Sequence, residues 1–355
     1  MKIALHGSYF GRNFGDTLIL KLVYDWIKEL DPEGTITLPY ITSELEFNEI
    51  TSQNQKFDLN RIDPKDFDGL IFGPGGYFGE PPSNFINILK WSIRNYNRHL
   101  AWTEKLFRNN IPYIIVGVGV GPLSNYFLRK KVIRLFQNAY CISVRDEISK
   151  KYLIDWGVSS SKISINFDVA LSLKRTYSRQ SNKNKKLGIH LSGSFLNQYK
   201  KLDAIVNFIE RIKNKYLISF IEDNYNQFKE GIGNPLLEAF KKQGIAYNII
   251  KYQSPNQTID DISDMDLIIT SKLHMGIVGY ALGVPVISLP KHSKTFRFYE
   301  QINRQACCIK INDLQEKHLD QAYSFCNNSV VVNEFHKSSI NNKAIIAEFI
   351  DSLKP

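Results

Sequence analysis

Apolar runs of strand length alternate with amphipathic stretches of helix length along almost the whole chain. That alternation is the pattern of an α/β protein with parallel sheets. In the first half, KIALHG, TITLPY, DGLIFG, YIIVGVGVG, CISV and KISIN read as strands. Helices are predicted between them, from Asp16 to about Leu30, from Ser83 to about Asn109 and from Asn125 to about Asn138. The turn DPEG at 31–34 closes the first helix with Pro and Gly. Residues 174–186, KRTYSRQSNKNKK, are polar, basic and aperiodic, and predict a linker. Alternation then restarts with KLGIHL, a helix near 200–213, YLISFI, a helix near 226–243 and AYNIIKY. A short helix, DLIIT, a helix from about Leu273 and PVISL follow, and NNKAIIAEFIDSLK has helical spacing. The prediction is two doubly wound α/β domains, over residues 1–175 and 185–330, and a C-terminal helix within 331–355. Two such domains are expected to leave a cleft, with ligands beyond the carboxyl ends of the strands. The motifs do fall just after strands.

Composition narrows the function classes. The 355 residues are 43% hydrophobic and 23% charged, as in soluble globular proteins. No run reaches the roughly 18 apolar residues of a membrane span. MKIALHGSYFGRNFGD is too short in its apolar part for a secretion signal and reads as a first strand, so a cytoplasmic location is expected. The four cysteines (Cys141, Cys307, Cys308, Cys326) lack CxxC spacing, and no metal site is expected on them. A formal charge of +10 favours anionic partners. The basic residues are spread out, without an aromatic RNA-binding signature, so nucleic acid is not expected as a partner.

Five segments carry candidate chemistry. GSYFGRNFGD, residues 7–16, follows the first strand directly, and Asn13 lies in its turn. Its glycines allow close backbone approach, and the following helix offers free N–H groups to an anion or a sugar hydroxyl. Asp16, at or near the helix cap, reads equally as a cap and as a carboxylate that binds or deprotonates a substrate hydroxyl. FGPGGYFGE, residues 72–80, is too glycine-dense for ordinary loop closure. It predicts a ligand lying against Gly75 and Gly76, with Tyr77 and Phe78 available to stack on a sugar ring; it matches neither a P-loop nor GxGxxG. VGVGVGPLS, residues 116–124, alternates glycine with valine on a strand, which predicts close strand-to-helix packing rather than dinucleotide binding. ISVRDEISKKYL puts Arg145 where a strand gives way to a helix. An ion pair with Asp146 or Glu147 is the plainer reading, but adjacent helical residues do not face each other, so a carboxylate or phosphate ligand is favoured. Finally, SKLHMGIVGYALGVPVISLP sets Lys272 and His274 at the mouth of a small-residue helix, and KHSKTFRFYE adds Lys294 and Arg297. A helix start disfavours an imidazolium unless an anion sits beside it.

Together GRNFGD, GPGGYFG, SVRDEIS, DVAL and SKLHMGIVGYALGVPVI resemble, in kind and in order, the polysaccharide pyruvyl transferase family, from residue 3 to about 302. The resemblance implies a GT-B-like fold, two Rossmann-like domains facing a cleft, the first on the acceptor side and the second on the donor side. It implies transfer of an enolpyruvyl-derived group from phosphoenolpyruvate to two sugar hydroxyls, with a cyclic pyruvate ketal formed and phosphate released. Phosphoenolpyruvate is the donor substrate; no cofactor or metal is implied. The family's conserved arginine falls on Arg145, and its Arg-Leu-His triplet on Lys272, Leu273 and His274, with lysine in place of arginine. Lysine keeps the charge but loses the two-pronged fork. On this reading Arg145, Lys272, Lys294 and Arg297 hold the phosphate and carboxylate, His274 donates a proton, and Asp16 serves the acceptor.

The resemblance also implies a glycan acceptor of a surface polysaccharide, capsule or exopolysaccharide, carried on a lipid. RKKVIR at 129–134 then reads as a peripheral contact with the inner face of the membrane, or equally as a solvated helix. Two other readings stand beside this one. A GT-B glycosyltransferase with a nucleotide-sugar donor would share the fold, but Lys291, His292, Lys294 and Arg297 precede Glu300 and suit a small anion better. A non-catalytic glycan- or lipid-phosphate-binding descendant is supported by Lys272. Oligomeric state leaves no mark on the sequence.

Overall fold

The computed structural model describes residues 1–8, 13–39, 41, 43–52, 64–175, 184–191, 201–225, 227, 234–290 and 293–354. The chain forms two compact units: Met1–Arg12, Asp16–Ser172 and Phe335–Pro355 in the first, Asn13–Gly15 and Leu173–Glu334 in the second. Most of the predicted linker, from 176 to 183, lies outside the described residues, as do Lys291 and His292.

The first unit is built on strands β1 (Lys2–His6), β2 (Thr35–Thr37), β3 (Gly69–Phe72), β4 (Gly75–Phe78), β5 (Tyr113–Val120), β6 (Ile142–Val144) and β7 (Ile163–Ile165). They make one parallel sheet in the order β2-β1-β3-β5-β6-β7, with β4 alongside β5. Every residue of β3 and β5 is buried, as expected of parallel strands covered on both faces. Helices α1 (Phe14–Leu30), α2 (Glu44–Thr51), α3 (Phe85–Asn95), α4 (Thr103–Arg108), α5 (Tyr126–Gln137) and α6 (Glu147–Asp155) belong to this half of the chain. Sheet order reverses between β1 and β3, so the crevice rule points to the turns after those two strands, at Gly7 and at Gly73–Gly76.

The helix predicted over 83–109 is broken. A π-turn at Tyr96–Leu100 separates α3 from α4, and the Ala101 N–H donates to the Tyr96 carbonyl at 2.8 Å, five residues back. The wider turn drives His99 and Leu100 into the interior, and Asn95 just before it donates to the Tyr77 carbonyl at 2.7 Å. Apolar periodicity cannot register such a one-residue expansion.

The second unit carries β8 (Lys185–His190), β9 (Tyr216–Ile221), β10 (Asn248–Ile250), β11 (Leu267–Thr270) and β12 (Val286–Ser288). This sheet is parallel in the order β10-β9-β8-β11-β12, with its reversal between β8 and β11. Helices α7 (Leu202–Ile212), α8 (Pro235–Lys242), α9 (Pro255–Ser263), α10 (Leu273–Ala281), α11 (Ser293–Gln301) and α12 (Glu316–Asn328) accompany it. Helix α8 starts only at Pro235, where the Asn234 side chain accepts from the Leu236 N–H. Helix α10 is buried along nearly its whole length, and a Cβ on Gly279 would lie 2.6 Å from the Val286 side chain of β12. Its small residues let it sit that close to the sheet.

The last helix, α13 (His336–Ser352), returns to the first unit. Its Phe349, Ile346 and Ile350 are buried, the Ser339 hydroxyl donates to the Asp168 carbonyl at 2.8 Å, and Asn342 donates to the carbonyls of Asn166 and Phe167.

Candidate functional site

In the second unit, three neighbouring strands end in polar side chains at the reversal of sheet order. Strand β8 ends on His190, β9 runs on through Glu222 to Asp223, and β11 runs on through Ser271 to Lys272. Parallel strands present these residues together at their carboxyl ends, where ligands of such sheets bind. The Asp223 carboxylate is nearly fully buried, with Oδ1 3.3 Å from His190 Nε2 and Oδ2 3.0 Å from Lys272 Nζ. Burial alone would raise its pKa, but the His190 ring and the Lys272 ammonium outweigh it and hold the carboxyl well below the usual range. Lys272 keeps its side chain 46% exposed, so the ammonium is anchored on one side and open on the other.

The backbone around this cluster is tied down. The Lys272 N–H donates to Thr270 Oγ1 at 3.0 Å, and the Asp223 N–H donates to Gln227 Oε1 at 2.8 Å. Lys272 is the N-cap position of α10, so His274 occupies the first turn of that helix, half-buried. Residues 13–15 group with this same unit: the Phe14 N–H donates to the Asp223 carbonyl at 2.7 Å. A Cβ on Gly15 would stand 2.1 Å from His274 Nδ1, so only glycine there leaves room for the imidazole. Within the second unit the structure thus brings Asn13–Gly15 together with the Lys272–His274 pair. Helix α1 begins at Phe14, which makes Asp16 its third residue rather than its cap, a first-turn carboxylate at the positive end of the helix. Lys294 lies exposed on the first turn of α11, and Arg297 is half-buried later in the same helix.

The first unit holds a second cluster. Arg145 follows β6 and is only 8% exposed; its Nη1 lies 3.5 Å from Asp168 Oδ2, and its Nε 3.9 Å from Asp146 Oδ2. The acidic neighbour dismissed on helical geometry is therefore in reach, because Asp146 is the extended N-cap of α6 rather than a helical residue. Gly76 is exposed beside this guanidinium, a Cβ there lying 3.7 Å from Nη2. Gly75, at φ +147, is buried in a conformation that favours glycine.

The glycines that alternate with valine at 117, 119 and 121 have different causes; Gly117 sits at φ +66, a conformation that favours glycine. At Gly121, close packing on a helix holds, since a Cβ there would meet the Tyr152 ring of α6 at 2.4 Å. At Gly119 the space belongs to Arg145, whose Nε and Nη2 stand 2.7 Å from the position a Cβ would take. Replacing Gly119 by alanine is therefore expected to push the guanidinium off Asp168 and cost about 1–3 kcal/mol. Calorimetry should record a melting temperature lower by roughly 3–10 °C; an unchanged melting temperature would show that the arginine shifts freely.

Tyr77 and Phe78 do not keep the expected role of stacking on a sugar. Both rings are buried, and Tyr77 lies on His99 with centroids 4.5 Å apart and planes 16° from parallel. The Tyr77 hydroxyl donates to the Gly73 carbonyl at 2.7 Å, so this ring shapes the glycine turn from within. Beneath it His6 Nε2 and His99 Nδ1 are 2.9 Å apart, both buried among Phe72, Tyr77 and Trp102. Burial first, then the other ring's charge, holds the His6 pKa well below its ordinary value. Burial, then Arg98, pushes His99 down to about 3.

Sequence reasoning missed His190, Asp223, Asp168 and the histidine pair. Asp223 and Asp168 obey the rule that found Arg145 and Lys272, a polar side chain directly or shortly after a strand, and His190 is the last residue of one. Among the described residues, no group of three or more His, Cys, Asp or Glu side chains is placed to hold a metal ion, and no helix is long and apolar enough to cross a membrane.

No curated protein matches the sequence. Among solved structures, the UDP-GlcNAc 2-epimerase of Methanocaldococcus jannaschii is similar at 13% identity and TM-score 0.61, over 98% of this chain and 100% of its own. The UDP-GlcNAc 2-epimerase of Neisseria meningitidis, solved with UDP-GlcNAc bound, gives 12% and 0.60 over 99% and 100%. A glycosyltransferase from Rickettsia africae gives 14% and 0.56 over 99% and 96%. At such identities the likeness is one of fold, and the fold is GT-B-like, two Rossmann-like α/β units. The model of the family described as polysaccharide pyruvyl transferase matches residues 13–293, a span that takes in residues 13–15, both clusters and the whole second sheet. By that match the chain belongs to the polysaccharide pyruvyl transferase family.

Proposed function

We propose that the protein transfers the pyruvyl unit of phosphoenolpyruvate onto two hydroxyls of one sugar, in a surface polysaccharide or its lipid-linked precursor, on the cytoplasmic side of the membrane. The observation that carries this reading is the Lys272 ammonium, fixed on Asp223 at 3.0 Å yet open to solvent, two residues before His274 on the first turn of α10. A small dianion placed there would meet one point charge, the free N–H groups of a helix start and an imidazole.

In the scheme, the methylene carbon of phosphoenolpyruvate takes a proton from His274, which leaves C2 electrophilic. One sugar hydroxyl adds to C2 and gives up its proton; the C2–O bond to phosphate breaks, and the second hydroxyl closes the ketal with loss of its own proton. The products are the cyclic ketal and phosphate. Lys272 steadies the phosphate as charge leaves with it. Arg145 is the first unit's cation for an anionic substrate group, Lys294 and Arg297 are further cations of the second unit, and Asp16 serves the acceptor hydroxyl. Asn13, Gly75 and Gly76 offer backbone and amide contacts.

The test is mass spectrometry of galactose- and N-acetylhexosamine-bearing acceptors incubated with phosphoenolpyruvate, with phosphate release measured alongside. A ketal adduct with stoichiometric phosphate is expected. Sugar addition from a nucleotide-sugar donor, or binding without turnover, would replace this reading with one of its two rivals.

A further inference from the structure

Helices α3 and α5 carry an apolar surface that the fold leaves open. Phe85 and Phe127 are each 79% exposed, and Ile86, Leu89, Ile93 and Tyr126 are also exposed. Large aromatic residues that far out are unusual when they cluster. Between the helices lies a groove of about 410 Å³ lined by Ile93, Tyr96, Phe127 and Leu128, with Lys130 and Lys131 on its wall. Residues 85–100 and 126–137 together hold seven Lys and Arg and no acidic side chain. Two of these cations, Lys131 and Arg134, are paired with Glu104 of α4. Lys130 sits 4.7 Å over the Tyr126 ring, and Lys90 and Arg94 are exposed among the apolar residues of α3.

We propose that the α3–α5 face docks on an anionic lipid bilayer. A bilayer surface supplies both halves of what the face lacks, an apolar layer for the phenylalanines and negative charge for the lysines and arginines. A second copy of this chain fits worse, because a symmetric pairing would set Lys90, Arg94 and Lys130 against their own likes. The proposal stands apart from the donor chemistry and concerns where the first unit works.

Flotation with vesicles tests it. The protein is expected to float with vesicles of about 30% phosphatidylglycerol in phosphatidylcholine, to stay down with phosphatidylcholine alone, and to be released near 0.5 M salt. A double variant F85S/F127S should partition about tenfold or more weaker. K90Q/K130Q should lose about fivefold per cation. Both pairs are solvent-exposed, so melting curves should be unchanged. Failure of the wild type to float on anionic vesicles, or equal flotation of all three proteins, overturns the proposal. A concentration-dependent dimer that F85S/F127S dissociates would also overturn it, by assigning the face to a second copy. Pyruvyl transfer to a water-soluble acceptor should be equal in all three, so loss of flotation and loss of the proposed activity are read separately.

Discussion

A His274→Ala protein is expected to lose about 10²–10⁴-fold in turnover with phosphoenolpyruvate and acceptor, the usual worth of a positioned proton donor. Calorimetric titration should show phosphoenolpyruvate still binding, because the proposed scheme assigns the anion to Lys272 and the helix start and only the proton to the imidazole. Gly15→Ala offers a second route to the same loss. Its Cβ would fall 2.1 Å from His274 Nδ1 and 2.6 Å from the His274 Cβ, so the ring must leave its place although no functional side chain has been removed. Near-wild-type turnover in His274→Ala would end the proton-donor role. Loss in His274→Ala with full activity in Gly15→Ala would show that the imidazole works from another position.

The second large effect is on stability. Lowering the pH from 7 to 5 is expected to destabilise the first unit, by roughly 2 kcal/mol through His99, with His6 acting in the same direction. In the unfolded chain both rings take up protons below about 6.5. In the folded protein His6 resists well below its ordinary value and His99 holds out to about 3. The unfolded state therefore binds more protons throughout this range, and stability, complete above the unfolded value, falls as the pH falls. Asp223 does not contribute in this window. Its depressed carboxyl stabilises above the unfolded value near 3.9 and is lost only on falling further, through the folded value. Urea unfolding followed at the two pH values measures the difference. In His99→Phe, which keeps a ring against Tyr77, the difference should shrink by the roughly 2 kcal/mol that His99 supplies. Equal stabilities at pH 7 and 5 would show that the pair is protonated inside the fold.

Much of this architecture is legible along the chain. Strands announce themselves as apolar runs, and Lys272, His274 and Arg145 stand out because each follows such a run directly. What is not legible is which strand ends meet. His190 and Asp223 belong with Lys272 only because the sheet orders its strands β9-β8-β11, whereas the chain runs β8, β9, β11. Asp168 has the same history in the first sheet, where β7 lies beside β6 and carries a carboxylate to Arg145. Tyr77 misleads for a related reason. Strand β4 pairs with β5, and its ring turns inward onto His99, which the unforeseen π-turn delivers from 22 residues away. The glycines mislead least at the positions where a neighbour fills the missing Cβ, yet which neighbour, helix or guanidinium, is again set by tertiary structure.

The return of α13 to the first unit bears on the order in which the chain folds as it leaves the ribosome. Ser143 Oγ donates to Asn342 Oδ1 at 2.5 Å across 199 residues, and Phe349 of that helix and Leu353 just past its end cover Gly69. The first unit begins synthesis first but cannot close until its final helix emerges, while residues 173–334 are complete before then. The second unit therefore has everything it needs to fold ahead of the first, the reverse of the usual amino-to-carboxyl progression. Throughout that interval the β3 and β5 surfaces that α13 will cover stay bare, the stage at which a nascent chain of this kind most needs protection from its neighbours.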